Sequence, residues 1–193
     1  MTFVANQLLL QGIVSVDASN GADNPSLVVN LGNKRPRDIP DALVAAISYA
    51  LKDWSKDMSF ELVSDVPYGI KSFAEQINGR RIMLARDDNE FVAPAPHSDL
   101  IADKNCLLID EVITDGVDTL KAIRALEKSG AKVVDVLAVF DCQQGGVEML
   151  KGEGFKPSAL YGADDFLHFC ASMGIVCDMS QEETRAHIPW FSI

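Results

Sequence analysis

The chain has 193 residues, 28 of them acidic and 17 basic, for a net charge of -11 at neutral pH. That length suits one domain with a sizeable core rather than two. The negative field argues against nucleic acid or an anionic membrane as partner. No apolar run reaches the roughly 20 residues of a membrane span, and the opening "MTFVANQLLLQGIV" has neither a basic flank nor a small-residue cleavage site. A cytoplasmic location is expected.

In chain order, "NQLLLQGIVSVD" and "PSLVVNLGN" suggest a helix and strands added at the edge of the fold. Residues 38–54, "DIPDALVAAISYALKDW", place Leu43, Ile47, Ala50, Leu51 and Trp54 on one helical face, with Pro40 in the first turn. Strand-like "FELVS" (60–64), helix-like "SFAEQI" (72–77) and strand-like "RIMLA" (81–85) and "NCLLI" (105–109) follow. The polar tract from Arg86 to Lys104, with Pro94 and Pro96, has no period; its length marks a mobile functional loop or a disordered one. A helix around Leu120, Ile123 and Leu126 closes at Gly130, and "KVVDVLAVF" (132–140) reads as a strand. The segments "ADDFLHFCASMG", "IVCD" and "SQEETRAHIPWF" close the chain, Ser180 and Glu183 forming a capping-box pattern. Strands alternating with helices predict an α/β fold: a mainly parallel central sheet flanked by helices, in a single domain spanning 1–193.

Cys106, Cys142, Cys170 and Cys177 lack the paired spacing of a zinc site or a redox motif and read as buried reduced thiols. His97, His168 and His187 are isolated. Side chains alone therefore offer no metal-ligand cluster.

The stretch with most chemistry is "NCLLIDEVITDGVDTLKAIRALEKSGAKVVDVLAVFDCQQGG", 105–146. In open α/β sheets ligands bind beyond the carboxyl ends of the strands. Here an apolar strand delivers Asp110 and Glu111, which can accept hydrogen bonds from vicinal sugar hydroxyls. Next, "VITDG" turns into a helix whose free N–H groups and dipole favour an anion. A ribose 5-phosphate fits that combination, and so does an ordinary capped turn between strand and helix.

The motif "LLIDEVITDG" with "AIRALEKSGAKVVDVLAVFDCQQGG" resembles the phosphoribosyl pyrophosphate (PRPP) motif and following βα unit of orotate phosphoribosyltransferases. "DVPYGIKSFA" (65–74) is similar to that family's pyrophosphate loop, "LARDDNEF" (84–91) to the start of its mobile catalytic loop, and "NGADNPSLVVNLGN" (20–33) to the hood strands covering the base. The resemblance implies a type I phosphoribosyltransferase fold with residues 1–36 contributing a small N-terminal hood. It also implies a homodimer and magnesium carrying PRPP. By position it implies a ribose-phosphate site of Asp110, Glu111, Thr114, Asp115, Gly116, Val117, Tyr68 and Lys71, with Asp110, Glu111 and Arg86 as catalytic residues and Cys142 at the base.

Several positions depart from the family pattern. Asp115 and Val117 stand where the family has small or hydroxyl residues, and Asp118 follows. Asp65 stands where the pyrophosphate loop opens with Gly, Asp87 and Glu90 take lysine places, and Cys142 replaces a base-holding arginine. Phosphate sites clamp negative charge with cations and backbone donors. A carboxylate about 5 Å from a phosphate charge costs on the order of 3 kcal/mol at an effective dielectric near 20. Lys71, Lys104, Arg80 and Arg81 are the candidates for compensation.

An orotate phosphoribosyltransferase-like protein with reduced or lost transfer is therefore expected, binding a phosphoribosyl or nucleotide ligand. As a regulatory partner it would pair with itself or with an active homologue. The alternatives are a working transferase using magnesium-bound PRPP, and a structural module with no ligand pocket. With transfer lost, no cofactor is needed.

Overall fold

The computed structural model describes residues 14–17, 26–29, 41–67, 73–88, 90–93 and 100–172. Two short strands, β1 (Val14–Asp17) and β2 (Ser26–Val29), pair antiparallel. They fall within the segment assigned to a hood, the rest of which lies outside the described residues. Helix α1 (Asp41–Trp54) follows, its apolar spacing burying Leu43, Ile47 and Leu51.

The core is a five-stranded parallel sheet. Its strands are β3 (Leu62–Asp65), β4 (Arg80–Met83), β7 (Asn105–Ile113), β8 (Lys132–Asp141) and β9 (Pro157–Gly162), in the order β4-β3-β7-β8-β9. Helices α2 (Val117–Lys128), α3 (Gly146–Gly152) and α4 (Ala163–Ser172) connect or follow its later strands. Two apolar cores flank it. Leu107 and Ile109 pack on one side with Leu43, Ile47, Leu51 and Phe166; Cys106 and Leu108 pack on the other with Ile123, Leu126 and Leu150. Burial on both faces is why "CLLI" and "VLAVF" read as unbroken apolar runs.

Four sequence expectations change. The helix expected at 72–77 is a single 3-10 turn, Phe73–Gln76, too short to bury a helical stripe. β7 runs on through Asp110 and Glu111 to Ile113, because Asp110, Val112 and Ile113 keep their parallel pairing with β8. The tract expected to be loop from Arg86 on begins instead in an antiparallel hairpin, β5 (Ala85–Asp87) and β6 (Glu90–Val92), with Asp88 after β5 at φ 51°. Phe91 anchors it by burial in the α2-side core. Finally, α3 and β9 had no counterpart in the sequence reading; α3 is two turns long, too short for a periodic signal. Among the described residues no helix is long and apolar enough to cross a membrane.

Candidate functional site

Strand order locates the site without reference to any motif. The chain passes from β3 outward to β4, crosses back over β3 to β7, then moves outward again through β8 and β9. Connections therefore diverge between β3 and β7, and the crevice at the carboxyl ends of those two strands is where an open α/β sheet binds its ligand. The register pairs Asp65 with Ile109, one residue before Asp110 and Glu111, and Val66 N–H donates to Ile109 O at 2.9 Å. Three carboxylates thus meet at the switch point.

Asp110 is held from two sides. The Thr119 hydroxyl on α2 donates to its Oδ2 at 2.6 Å, and Val112 N–H donates to its Oδ1 at 3.2 Å. It is 2% exposed. Burial pushes its carboxyl up to about 6, against the pull of hydrogen bonds from Thr119 and the backbone N–H groups of Val112 and Glu111. Glu111 is 7% exposed and its Oε2 has no hydrogen-bond partner. Burial first, then the charges of Asp110 and Asp65, push it up to about 8. At neutral pH Glu111 is therefore mostly a neutral acid, able to donate as well as accept. The expected adjacent pair is present, but its members differ: Asp110 is already engaged, while Glu111 offers an unused oxygen.

Beyond β7 the chain turns at Gly116, φ 79°, into α2. A Cβ at Gly116 would lie 2.7 Å from Met149 Cε and 2.9 Å from Gly146 O. Gly146 is tighter still, since its Cβ would lie 2.4 Å from Thr114 O, the same oxygen that accepts the Gly146 N–H at 3.1 Å. The turn carrying Thr114, Asp115 and Gly116 is thus locked against the start of α3. Asp115 is exposed and its Oδ1 accepts the Val117 N–H at 3.0 Å, one of the donors an incoming anion would otherwise engage. Val117 itself is 47% exposed. Asp118 pairs with Lys121 at 3.0 Å.

A parallel arrangement holds on the β3 side. Asp65 Oδ1 accepts the Ala74 N–H at 3.0 Å, and its Oδ2 lies 3.5 Å from the Arg81 guanidinium, which also reaches Glu75 at 3.3 Å. Lys104 gives the crevice no compensation: it pairs with Glu61 at 3.5 Å just before the amino end of β7. Arg80 likewise opens β4 at its amino end. Tyr68 and Lys71 lie outside the described residues, as do His97, Cys177 and His187.

Arg86 lies on the hairpin, apart from the five-stranded sheet, and its Nε donates to Asp88 O at 3.1 Å. Asp87 and Glu90, at the places resembling lysines, are paired across the hairpin strands. Cys142 is fully buried among the apolar residues on the α1 side, its thiol pushed up to about 12 by burial and the charges of Asp141 and Asp110. Where the resemblance implies a base contact, the structure has a core thiol. Cys106 and Cys170 are likewise free and buried.

Two features went unread in the sequence. Thr119 secures Asp110; its position nine residues on, in the first turn of the helix, was the available signal. Gln143 (φ 56°) binds Asp164 twice, donating from Nε2 to Oδ2 at 3.2 Å and accepting the Asp164 N–H at 2.6 Å, which ties the β8–α3 loop to the start of α4.

No protein-family model matches the chain. It is similar to the orotate phosphoribosyltransferase of Rhodopseudomonas palustris (strain TIE-1), 35% identical over 68 residues, which is 35% of this chain and 36% of that protein. The similarity thus spans little more than a third of that curated relative. In fold it is similar to Leishmania donovani UMP synthase, with a TM-score of 0.72 and 17% identity over 95% of this chain and 40% of that one. It is also similar to Mycobacterium tuberculosis orotate phosphoribosyltransferase in complex with PRPP, with a TM-score of 0.60 and 17% identity over 86% of this chain and 92% of that one. The resemblance read from the sequence stands, and the fold is that of the orotate phosphoribosyltransferases.

Proposed function

We propose that the protein is an orotate phosphoribosyltransferase-like binder of phosphoribosyl or nucleotide ligands in which base transfer is weakened or lost, acting in the cytoplasm as a regulatory partner. The observation that carries this reading is the paired self-capping of the crevice. Asp115 takes the Val117 N–H and Asp65 takes the Ala74 N–H, each at 3.0 Å. Both carboxylates occupy donors that a phosphate or diphosphate would need, and both bring like charge to where it would sit. Removing an electrostatic donor of this kind typically slows a reaction by about 10²–10³-fold.

A second reading, a working transferase, is favoured by the intact Asp110–Thr119 bond and by the unused Glu111 oxygen. Under it, a ring nitrogen would attack C1 of PRPP as the C1–O bond to diphosphate breaks, the nitrogen's proton passing to solvent and diphosphate leaving, with magnesium, if bound, supplying charge neutralisation of the diphosphate. Among the described residues no three His, Cys, Asp or Glu side chains converge to hold a metal. Asp110 is engaged at both oxygens and Glu111 is mostly protonated at neutral pH, so under this reading the ion would arrive bound to the substrate.

Calorimetry with PRPP and magnesium, run beside a pyrophosphate-release assay with orotate, separates the readings. Binding without turnover supports the first, and turnover abolished by Asp110→Asn supports the second. The dimer implied by the resemblance, with itself or with an active homologue, is tested by sedimentation alone and with such a homologue.

A further inference from the structure

Helix α2 leads from the carboxyl end of β7 back to the amino end of β8, and one of its faces borders the β5–β6 hairpin across a groove. Val117, Lys121, Arg124 and Lys128 follow one another at spacings of four, three and four residues, so they share that face. The groove encloses about 440 Å³, within the range of about 300–1,000 Å³ usual for small-molecule sites. Its floor is apolar: Phe91 is buried, and Leu120 and Met149 pack half-buried on the α2-side core. Its rim carries three cations and one acid, Glu90, in a chain of net charge -11. Lys121 pairs with Asp118, and Arg124 with Glu127 and Glu153. Lys128 is exposed and, among the described residues, has no carboxylate partner. It stands one turn beyond Arg124, an unfavourable like-charge spacing that an anion would relieve. The helix dipole accounts for a cation in the last turn, but not for the apolar trough beside it.

We propose that this groove is a second ligand site, separate from the β3–β7 crevice, for a monocarboxylate with an apolar body. The body fills the trough over Phe91, Leu120 and Met149, and the carboxylate meets Lys128. One charge fits better than two, because Glu90 lines the same groove and the field of the whole chain opposes anions. Met149 joins the two places: it lines the groove, and its Cε stands 2.7 Å from where a Gly116 Cβ would lie. A ligand in the groove therefore touches the side chain that closes over the β7–α2 turn. The site holds whether or not the crevice transfers a base.

The test is titration of the full chain, isotope-labelled at its methionine methyls, with phenylbutyrate, its neutral amide and inorganic phosphate. Met149→Leu assigns the Met149 signal. Because Met149 lies near both places, Lys128→Gln and Lys128→Glu, at the far end of the groove, decide between them; circular dichroism checks that both variants are folded. Wild type is expected to bind phenylbutyrate with a Kd of about 1 mM or tighter, shifting the Met149 methyl, and the amide about threefold or more weakly. Lys128→Gln is expected to weaken phenylbutyrate about threefold and leave the amide unchanged, and Lys128→Glu to weaken phenylbutyrate further. Equal affinity for acid and amide, phenylbutyrate affinity unmoved in both folded Lys128 variants, or a Met149 methyl that stays in place at saturation overturns the proposal. So does phosphate that competes with phenylbutyrate and shifts the same methyl, which would assign the anion to the β7–α2 turn. Absence of phenylbutyrate binding overturns it as well.

Discussion

The two walls of the crevice are fixed by different means. The β7–α2 wall is tightly packed, with Asp110 locked by Thr119 and Val112, Gly116 in a left-handed turn, and Gly146 packed against Thr114. Among its described acidic oxygens only Glu111 Oε2 is buried without a partner. The β3 wall and the hairpin carry acids, with Asp65 capping the Ala74 N–H and Asp87 facing Glu90 across the strands. Like charges directly opposite in a hairpin destabilise it slightly, so that pairing has no structural benefit. Backbone packing and charge are thus set separately: close backbone contacts fix the β7–α2 turn, while each wall carries a carboxylate, Asp115 or Asp65, on a backbone N–H.

The largest effect expected is on the pH dependence of stability. Asp110 and Glu111 rise from the ordinary carboxylate range to about 6 and about 8. The folded state then holds more protons than the unfolded one between about pH 4 and pH 8, so stability falls as pH rises through that window. Glu111→Gln removes the larger share. It should match wild type near pH 5 and exceed it by a few kcal/mol at pH 8.5, measured by urea denaturation.

Next comes the locked wall itself. Gly146→Ala sets a Cβ 2.4 Å from Thr114 O and 2.7 Å from Gly116 N, both backbone atoms that cannot rotate away. A loss of roughly 3 kcal/mol is expected in the same assay. A neutral result would show that the turn is looser than its contacts suggest.

Thr119→Val keeps the shape and removes the donor to the buried Asp110 oxygen. It should cost about 1–3 kcal/mol and, unlike Gly146→Ala, should raise the apparent pKa of Asp110, followed by carboxyl NMR. The smallest effect is Asp115→Ala, which frees the exposed Val117 N–H. A loss of about 1 kcal/mol is expected, together with tighter binding of inorganic phosphate in a thermal-shift titration.

The sequence made some of this legible. β7 and β8 were visible because burial on both faces leaves long apolar runs, and α1 because Leu43, Ile47 and Leu51 repeat at helical spacing. The Asp110–Glu111 pair was visible because two acids ending such a run have few structural uses. The hairpin was not: its strands are three residues long, and only Phe91 buries in the α2-side core. The extension of β7 past Ile109 was hidden because two acids look like a strand end, although β8 supplies pairing on to Ile113. The unequal roles of Asp110 and Glu111 depend on Thr119 and Asp65, contacts set by the fold rather than by local sequence. Cys142 could be placed at the base only by position, and the core that encloses it comes from α1 and α4.

The central claim is that acids of the chain occupy the donors a phosphoribosyl diphosphate needs. The most direct measurement is pyrophosphate release from PRPP, orotate and magnesium by the purified chain. Release no faster than the protein-free blank is predicted. Sustained turnover in the ordinary enzymatic range of about 1–10³ s⁻¹, lost in Asp110→Asn, would contradict it.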